Sequence, residues 1–120
     1  MKTQTHYDDA EAYVTKDGSV IRELMHPIHH GARAQSFAEA IVASGITTEL
    51  HLHRLSEEIY HITQGVGNMR LGADTLEVSV GDTIVIRPGT PHCITNVGAT
   101  ALKIICACSP AYSHDDTELL

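Results

Sequence analysis

The segment from Gly45 to Gly65 concentrates the chemistry of this chain. It runs glycine, five residues, His51-Leu52-His53, four residues, Glu58, six residues, Gly65. Side chains on a strand repeat every second residue, so His51 and His53 leave one face together, roughly 6–7 Å apart at the backbone. A carboxylate can return to that face past the turn Leu55-Ser56-Glu57, where Glu57 and Glu58 compete for the place on residue pattern alone. His92 lies in a second glycine-bounded stretch and can join the pair only if distant strands converge, as the inward positions of a barrel do. Three imidazoles and one carboxylate can hold a divalent transition metal and leave coordination positions open for chemistry. Histidines on an exposed strand would show the same alternation; the carboxylate, His92 and the two glycines together carry the metal reading.

The elements that must position these residues read as β-structure. Ser19 to Met25 is a short apolar-rich strand, and Met25 to Gly31, with Pro27 and three histidines, is a loop. Ser36 to Ala43 fits strand or helix, and the strand pattern that continues past Gly45 selects strand. Thr47 to Leu55 alternates, Ile59 to Gln64 is apolar and β-branched, Asn68 to Leu71 is brief, and Leu76 to Val80 alternates again. Gly72-Ala73-Asp74 and Gly81-Asp82 are turns between them. Thr83 to Ile86 is an unbroken β-branched run, the pattern of a strand buried on both faces, and Pro88-Gly89 ends it. His92 to Asn96 and Ala101 to Cys108 are the last strands. Short strands at regular spacing predict a sandwich or barrel. Residues 1–18 read as a loose or pairing arm, 19–108 as the barrel, and 109–120 as a tail that packs outside it or against a second copy.

Composition narrows the class. A chain of 120 residues with 42% hydrophobic residues and no Trp is expected to form one domain with a core of Ile, Val, Leu and Ala. The formal net charge is −7, and no Lys/Arg cluster supplies the phosphate-neutralising footprint of a nucleic-acid binder. No apolar run reaches the length of a membrane span, and the polar N-terminus lacks an apolar signal region. An odd number of cysteines, Cys93, Cys106 and Cys108, speaks against a disulfide framework. They read as small buried hydrophobes, with a thiol lining the pocket as the alternative. A cytoplasmic location is expected.

The same residues carry a family resemblance. The pattern G(X)5HXH(X)3–4E(X)6G is matched by Gly45, His51, His53, Glu58 and Gly65. A second pattern, G(X)5PXG(X)2H(X)3N, is matched by Gly81, Gly89, His92 and Asn96, except that its proline falls on Arg87 while Pro88 follows. In these motifs the chain resembles a small single-domain cupin. The resemblance implies an all-β, double-stranded β-helix (a jelly-roll-like barrel), often a homodimer, with one divalent metal on His51, His53, Glu58 and His92. It selects Glu58 over Glu57. Family habit points to iron or manganese, and the donor set also suits nickel, cobalt, copper or zinc.

Other residues acquire roles from this frame. If Glu58 points inward, alternation carries Tyr60 and Ile62 inward and His61 outward, which makes Tyr60 a candidate to offer its hydroxyl to a substrate. Asn96 shares a face with His92, as a ligand contact or a turn-supporting amide. Arg70 and Arg87 are candidate anchors for an anionic substrate, or plain surface arginines. Leu102, Ile104, Cys106 and Cys108 face inward and Lys103 outward, giving an apolar back wall for a small organic ligand. His26, His29 and His30 read as exposed loop residues, and His6 and His114 carry no role. A sugar, keto-acid or hydroxy-acid could chelate the open positions for Lewis-acid isomerisation or tautomerisation. A non-haem dioxygenase or a non-catalytic ligand-binding module would use the same donors.

Overall fold

In the computed structural model, which describes residues 2–120, the alternation of apolar and polar residues becomes an alternation of buried and exposed side chains. The strands are β1 (Ala12–Val14), β2 (Val20–Met25), β3 (Ser36–Val42), β4 (His51–His53), β5 (Glu57–Gln64), β6 (Val66–Leu71), β7 (Asp74–Ser79), β8 (Thr83–Ile86), β9 (His92–Asn96), β10 (Leu102–Ser109) and β11 (Thr117–Leu119). A 3₁₀ turn at Tyr7–Asp9 precedes them. Among the described residues no helix is long and apolar enough to cross a membrane.

Two antiparallel sheets face each other. One has the order β1-β2-β3-β10-β5-β8 and the other β11-β4-β9-β6-β7. This is the all-β jelly-roll barrel that the family resemblance implied, and it brings segments remote in sequence together: β10 pairs with both β3 and β5, and β4 with β9. The hairpin from β5 to β6 turns at Gly65, whose φ of +87° is left-handed and whose missing Cβ would stand 3.0 Å from the Ala101 carbonyl oxygen. Both facts require glycine there.

The interior changes character along its length. At one end Ile62, Met69, Leu102 and Ile104 are no more than 1% exposed and pack with Val42, Ile86 and Ile94. Each such side chain contributes about 1.5–3 kcal/mol by leaving water. Along β10 the inward layers then shrink. Ile104 sits between Ile62 and Ala40, Cys106 between Tyr60 and Ala38, and Cys108 between Glu58 and Ser36. Small side chains in consecutive layers cannot fill the space between the sheets, so a cavity opens where the core ends.

Several expectations are corrected. Thr83–Ile86 is not buried on both faces: Ile84 and Ile86 are buried while Val85 is 49% exposed, because only the inner face of the sheet is covered, as the same alternation along β5 shows. Of the loose or pairing arm expected at the N-terminus, the structure shows the pairing form. β1 pairs with β2, and the Tyr7 hydroxyl donates to Glu39 while Arg22 lies over the Tyr7 ring. The tail is not merely an outer wrapping: β11 pairs with β4, setting Thr117 opposite His53 and Leu119 opposite His51.

Candidate metal centre

His51 and His53 are the two ends of β4, and the strand turns both inward between the sheets. His92 opens β9 as the cross-strand partner of His51. Glu58 comes from β5 in the opposite sheet. All four are buried. A loop joins β8 to β9 through a turn in which the Thr90 amide donates to the Arg87 carbonyl. Pro88 takes the second position of that turn and Gly89, at φ +77°, the third, which is the type II pattern. The proline that the motif places at Arg87 is therefore accommodated one residue later. The Gly89 amide also donates to the His53 carbonyl at 2.7 Å, tying the loop to β4.

The proton on each ring is fixed from outside. His51 Nδ1 lies 2.8 Å from the Glu49 carbonyl and His92 Nδ1 2.9 Å from the Thr90 carbonyl. Carbonyls only accept, so each Nδ1 is a donor. His53 Nδ1 lies 2.9 Å from Thr117 Oγ1, whose own proton goes to the Ser113 carbonyl, so His53 donates there too. Three Nε2 lone pairs are thereby aimed inward, with ligating atoms within 4.8 Å of one another. Backbone and side-chain partners on the remote ring nitrogen orient metal-binding histidines in this way.

Glu58 completes the set. Its Oε1 is 3.2 Å from His53 Nε2 and 3.5 Å from His92 Nε2, while Oε2 accepts from the Cys108 thiol at 3.1 Å. Burial alone would raise the Glu58 carboxyl, and hydrogen bonds from protonated His53 and His92 would overcome it and hold the carboxyl well below the usual carboxylate range; with their Nε2 lone pairs turned inward, a cation takes over that role. Glu58 Oε1 and His92 Nε2 are buried and have no hydrogen-bond partner among the described residues. Buried acceptors facing one another are costly, about 1–3 kcal/mol each, and a cation between them removes the cost. The donor set of imidazoles and a carboxylate fits one divalent transition metal.

Beside the donors lies a cavity of about 40 Å³ lined by Ala38, Tyr60, Cys106, Cys108 and Tyr112 among others. It has room for only a few water-sized groups. Burial, with the Glu58 charge nearby, pushes the Tyr60 phenol well above its usual range, and burial pushes Tyr112 up to about 12. Both are neutral donors at ordinary pH. Cys106 and Cys108 are likewise pushed up by burial and stay protonated, so the two inward thiols are both buried and part of the cavity wall.

The other expected contacts lie elsewhere. Asn96 is fully buried but spends its amide on the Val42 and Thr100 carbonyls and the Gly98 amide, away from the cavity. Arg70, on the solvent side of β6, and Arg87, in the loop after β8, are exposed and do not line the cavity. Odd and even positions of a strand face opposite ways, and His92 and Leu71 share a register with Arg70 turned outward. His26 is not an exposed loop residue: it is 7% exposed and its Nε2 meets the Tyr112 carbonyl at 2.8 Å.

Residues missed by sequence reasoning are Asp17, Tyr112 and Thr117. Asp17 reaches in from the β1–β2 turn, its Oδ2 3.7 Å from His51 Nε2. The Tyr112 ring stands edge-on to His53, 5.8 Å between centroids. Thr117 could have been suspected from the strand-like end of the tail; nothing local marks Asp17 or Tyr112.

A jelly-roll barrel with inward-facing imidazoles at the end of its core defines a class of β-barrel proteins built around a metal site. The cupin-domain family profile matches residues 38–108, and the chain belongs to the cupin family. It is 54% identical over 117 residues to the uncharacterized protein MJ1618 of Methanocaldococcus jannaschii, covering 98% of this chain and 94% of that one. Among solved structures, the Streptomyces nucleoside dehydratase Pac13 superposes with a TM-score of 0.80 at 16% identity, over 100% of this chain and 92% of that one. The Lactobacillus farciminis oxalate decarboxylase superposes with a TM-score of 0.81 at 24% identity, over 96% of this chain and 35% of that one. At these identities the structural likeness is one of fold.

Proposed function

We propose that this chain is a metal-dependent enzyme that binds a small oxygen-chelating molecule (a sugar, keto-acid or hydroxy-acid) and catalyses its isomerisation or tautomerisation. His51, His53, Glu58 and His92 would hold the ion, with iron or manganese the expected metals. The observation that carries this reading is the outward fixing of three Nδ1 protons, which turns three lone pairs inward, those of His53 and His92 toward a buried carboxylate oxygen that has no other partner among the described residues. A bound divalent ion supplies Lewis acidity toward a substrate carbonyl.

The chain's own residues do the rest. Small side chains at Ala38, Ala40 and Cys106 leave space next to the donors and limit the size of what enters. Tyr60, on the same face of β5 as Glu58, presents a neutral phenol to the cavity and serves as the proton donor to a substrate oxygen. The apolar wall from β10 excludes water. The fold-level neighbours that are enzymes, a nucleoside dehydratase and an oxalate decarboxylase, support catalysis over passive binding.

Incubating metal-loaded protein with α-hydroxy-carbonyl compounds in D₂O and following the substrate C–H signals by NMR tests the reaction class. Deuterium incorporation without oxygen is expected; consumption of ligand only with oxygen uptake would replace the reading by a dioxygenase, and tight binding with neither by a binding module.

Pairing of two copies and a reducing compartment belong to the same proposal. Phe37, Ala107, Ile59 and Val85 lie directly across one another on the outer face of the larger sheet, with Phe37, Ile59 and Val85 exposed, which supports a homodimer. Three free cysteines support the cytoplasm. Light scattering on the purified chain tests the dimer.

A further inference from the structure

The charge of the cavity narrows the substrate class. Three carboxylates line it, Asp17, Glu23 and Glu58, and no Lys or Arg does. The nearest lysine in sequence, Lys16, is turned away and donates to the His114 and Thr117 carbonyls at 2.8 and 2.9 Å. Even with one divalent cation on the histidines, three negative charges leave the cavity at −1. An anionic ligand entering it would be placed among like charges in a setting of reduced dielectric, where they act strongly.

Asp17 is held in place by four hydrogen bonds. Its Oδ1 is saturated by the Thr15 hydroxyl at 2.7 Å, the Ser19 amide at 2.9 Å and the Ser19 hydroxyl at 2.7 Å. Its backbone carbonyl accepts from the Glu49 amide at 2.7 Å, which locks the β1–β2 turn to the segment leading into His51. Only Oδ2 remains, and it faces into the cavity beside His51 Nε2 at 3.7 Å. A carboxylate oxygen can only accept, so it matches a ligand hydroxyl and opposes a ligand carboxylate. Glu23 repeats the pattern at the outer side. Its Oε1 accepts from the Tyr13 hydroxyl at 2.6 Å, and its buried Oε2 has no partner among the described residues. Glu23 and Tyr112 also line a second pocket of about 440 Å³.

We propose that the site selects an uncharged, hydroxyl-bearing substrate over a carboxylate, and that Asp17 is the residue that enforces the choice. This rests on the metal-centre reading and narrows its substrate list from sugars, keto-acids and hydroxy-acids to the uncharged polyol or hydroxy-carbonyl members.

Lactate and lactamide differ in charge and little in shape, and their dissociation constants can be read from the visible absorption of the cobalt(II)-loaded protein. The quantity that decides is the lactate-to-lactamide affinity ratio in the wild-type chain, Asp17→Asn and Glu23→Gln. Removing the Asp17 charge is expected to shift the ratio toward lactate by about tenfold, and removing that of Glu23 by a smaller factor in the same direction. A ratio that stays within about twofold of wild type in Asp17→Asn overturns the inference whatever Glu23→Gln does, since a nearby full charge cannot be that silent. Protein that takes up no cobalt overturns the metal-centre reading instead, and the same ratio measured by calorimetry on the metal-free chain then decides the selectivity claim.

Discussion

The imidazole rings of His51 and His92, cross-strand partners on β4 and β9, stand 4.1 Å apart between centroids. Buried rings this close repel if both are protonated, and share one cation without penalty when both are neutral. Replacing either with Ala removes a donor from a set whose remaining members stay in place. Metal affinity is expected to fall by more than the roughly 10–100-fold typical of losing an outer partner. Competition with a chelating dye measures this, and circular dichroism of each variant reports whether the barrel persists.

Thr117 is such an outer partner. It accepts from His53 Nδ1 and passes its own proton to the Ser113 carbonyl. Thr117→Val keeps the shape and removes the acceptor, so affinity for Mn(II) should drop about 10–100-fold, with Thr117→Ser restoring most of it. Equal affinity in Thr117→Val would show that the tail does not orient the ring.

The metal-free protein should lose stability in weak acid. Burial pushes His51 below its usual range, and the neighbouring His92 adds to that, against the weaker pull of Glu49 and Asp17. The unfolded chain therefore binds more protons than the folded one once the pH drops below the ordinary histidine value of about 6.5. Above that value both states are neutral at this site and its contribution is complete; below it stability declines until the folded state protonates as well. Thermal melts of the chelator-treated protein should show a Tm that falls steadily below about pH 6.5, and the loaded protein should release its ion over the same range. A Tm that rises on acidification would contradict the assignment.

Tyr60 separates chemistry from packing. The residue is 6% exposed, packs in the core cluster and lines the cavity. Tyr60→Phe keeps the ring, so the Tm should change by little, while turnover should fall by about 10²-fold if the phenol is the proton donor. Ala38→Leu fills the cavity from the same sheet, across Cys106 from Tyr60, and should abolish ligand binding while leaving metal uptake intact. An active Tyr60→Phe variant would remove Tyr60 from the mechanism.

How much was legible in the sequence divides along physical lines. Alternation fixes which way a side chain points once its strand is known, so Tyr60, Ile62, Leu102, Ile104, Cys106 and Cys108 were placed correctly. The run Thr83–Ile86 was misread because β-branched residues suit a half-exposed strand as well as a buried one, and whether a second layer covers the outer face depends on the whole fold. Arg70 was offered as an anchor without the register that turns it outward. Asn96 follows the motif, but its amide holds backbone and not a ligand. Asp17 and Tyr112 were invisible because their neighbours in space, His51 and His53, lie far away along the chain, and short pieces such as β1 and β11 gain their strand identity only from a partner.

The most direct measurement is the divalent metal content of the purified, reloaded chain and of the His51→Ala/His53→Ala double variant, by inductively coupled plasma mass spectrometry. One ion per wild-type chain and essentially none in the double variant is the predicted result. Stoichiometric metal in the double variant, or a wild-type chain that takes up none, would contradict it.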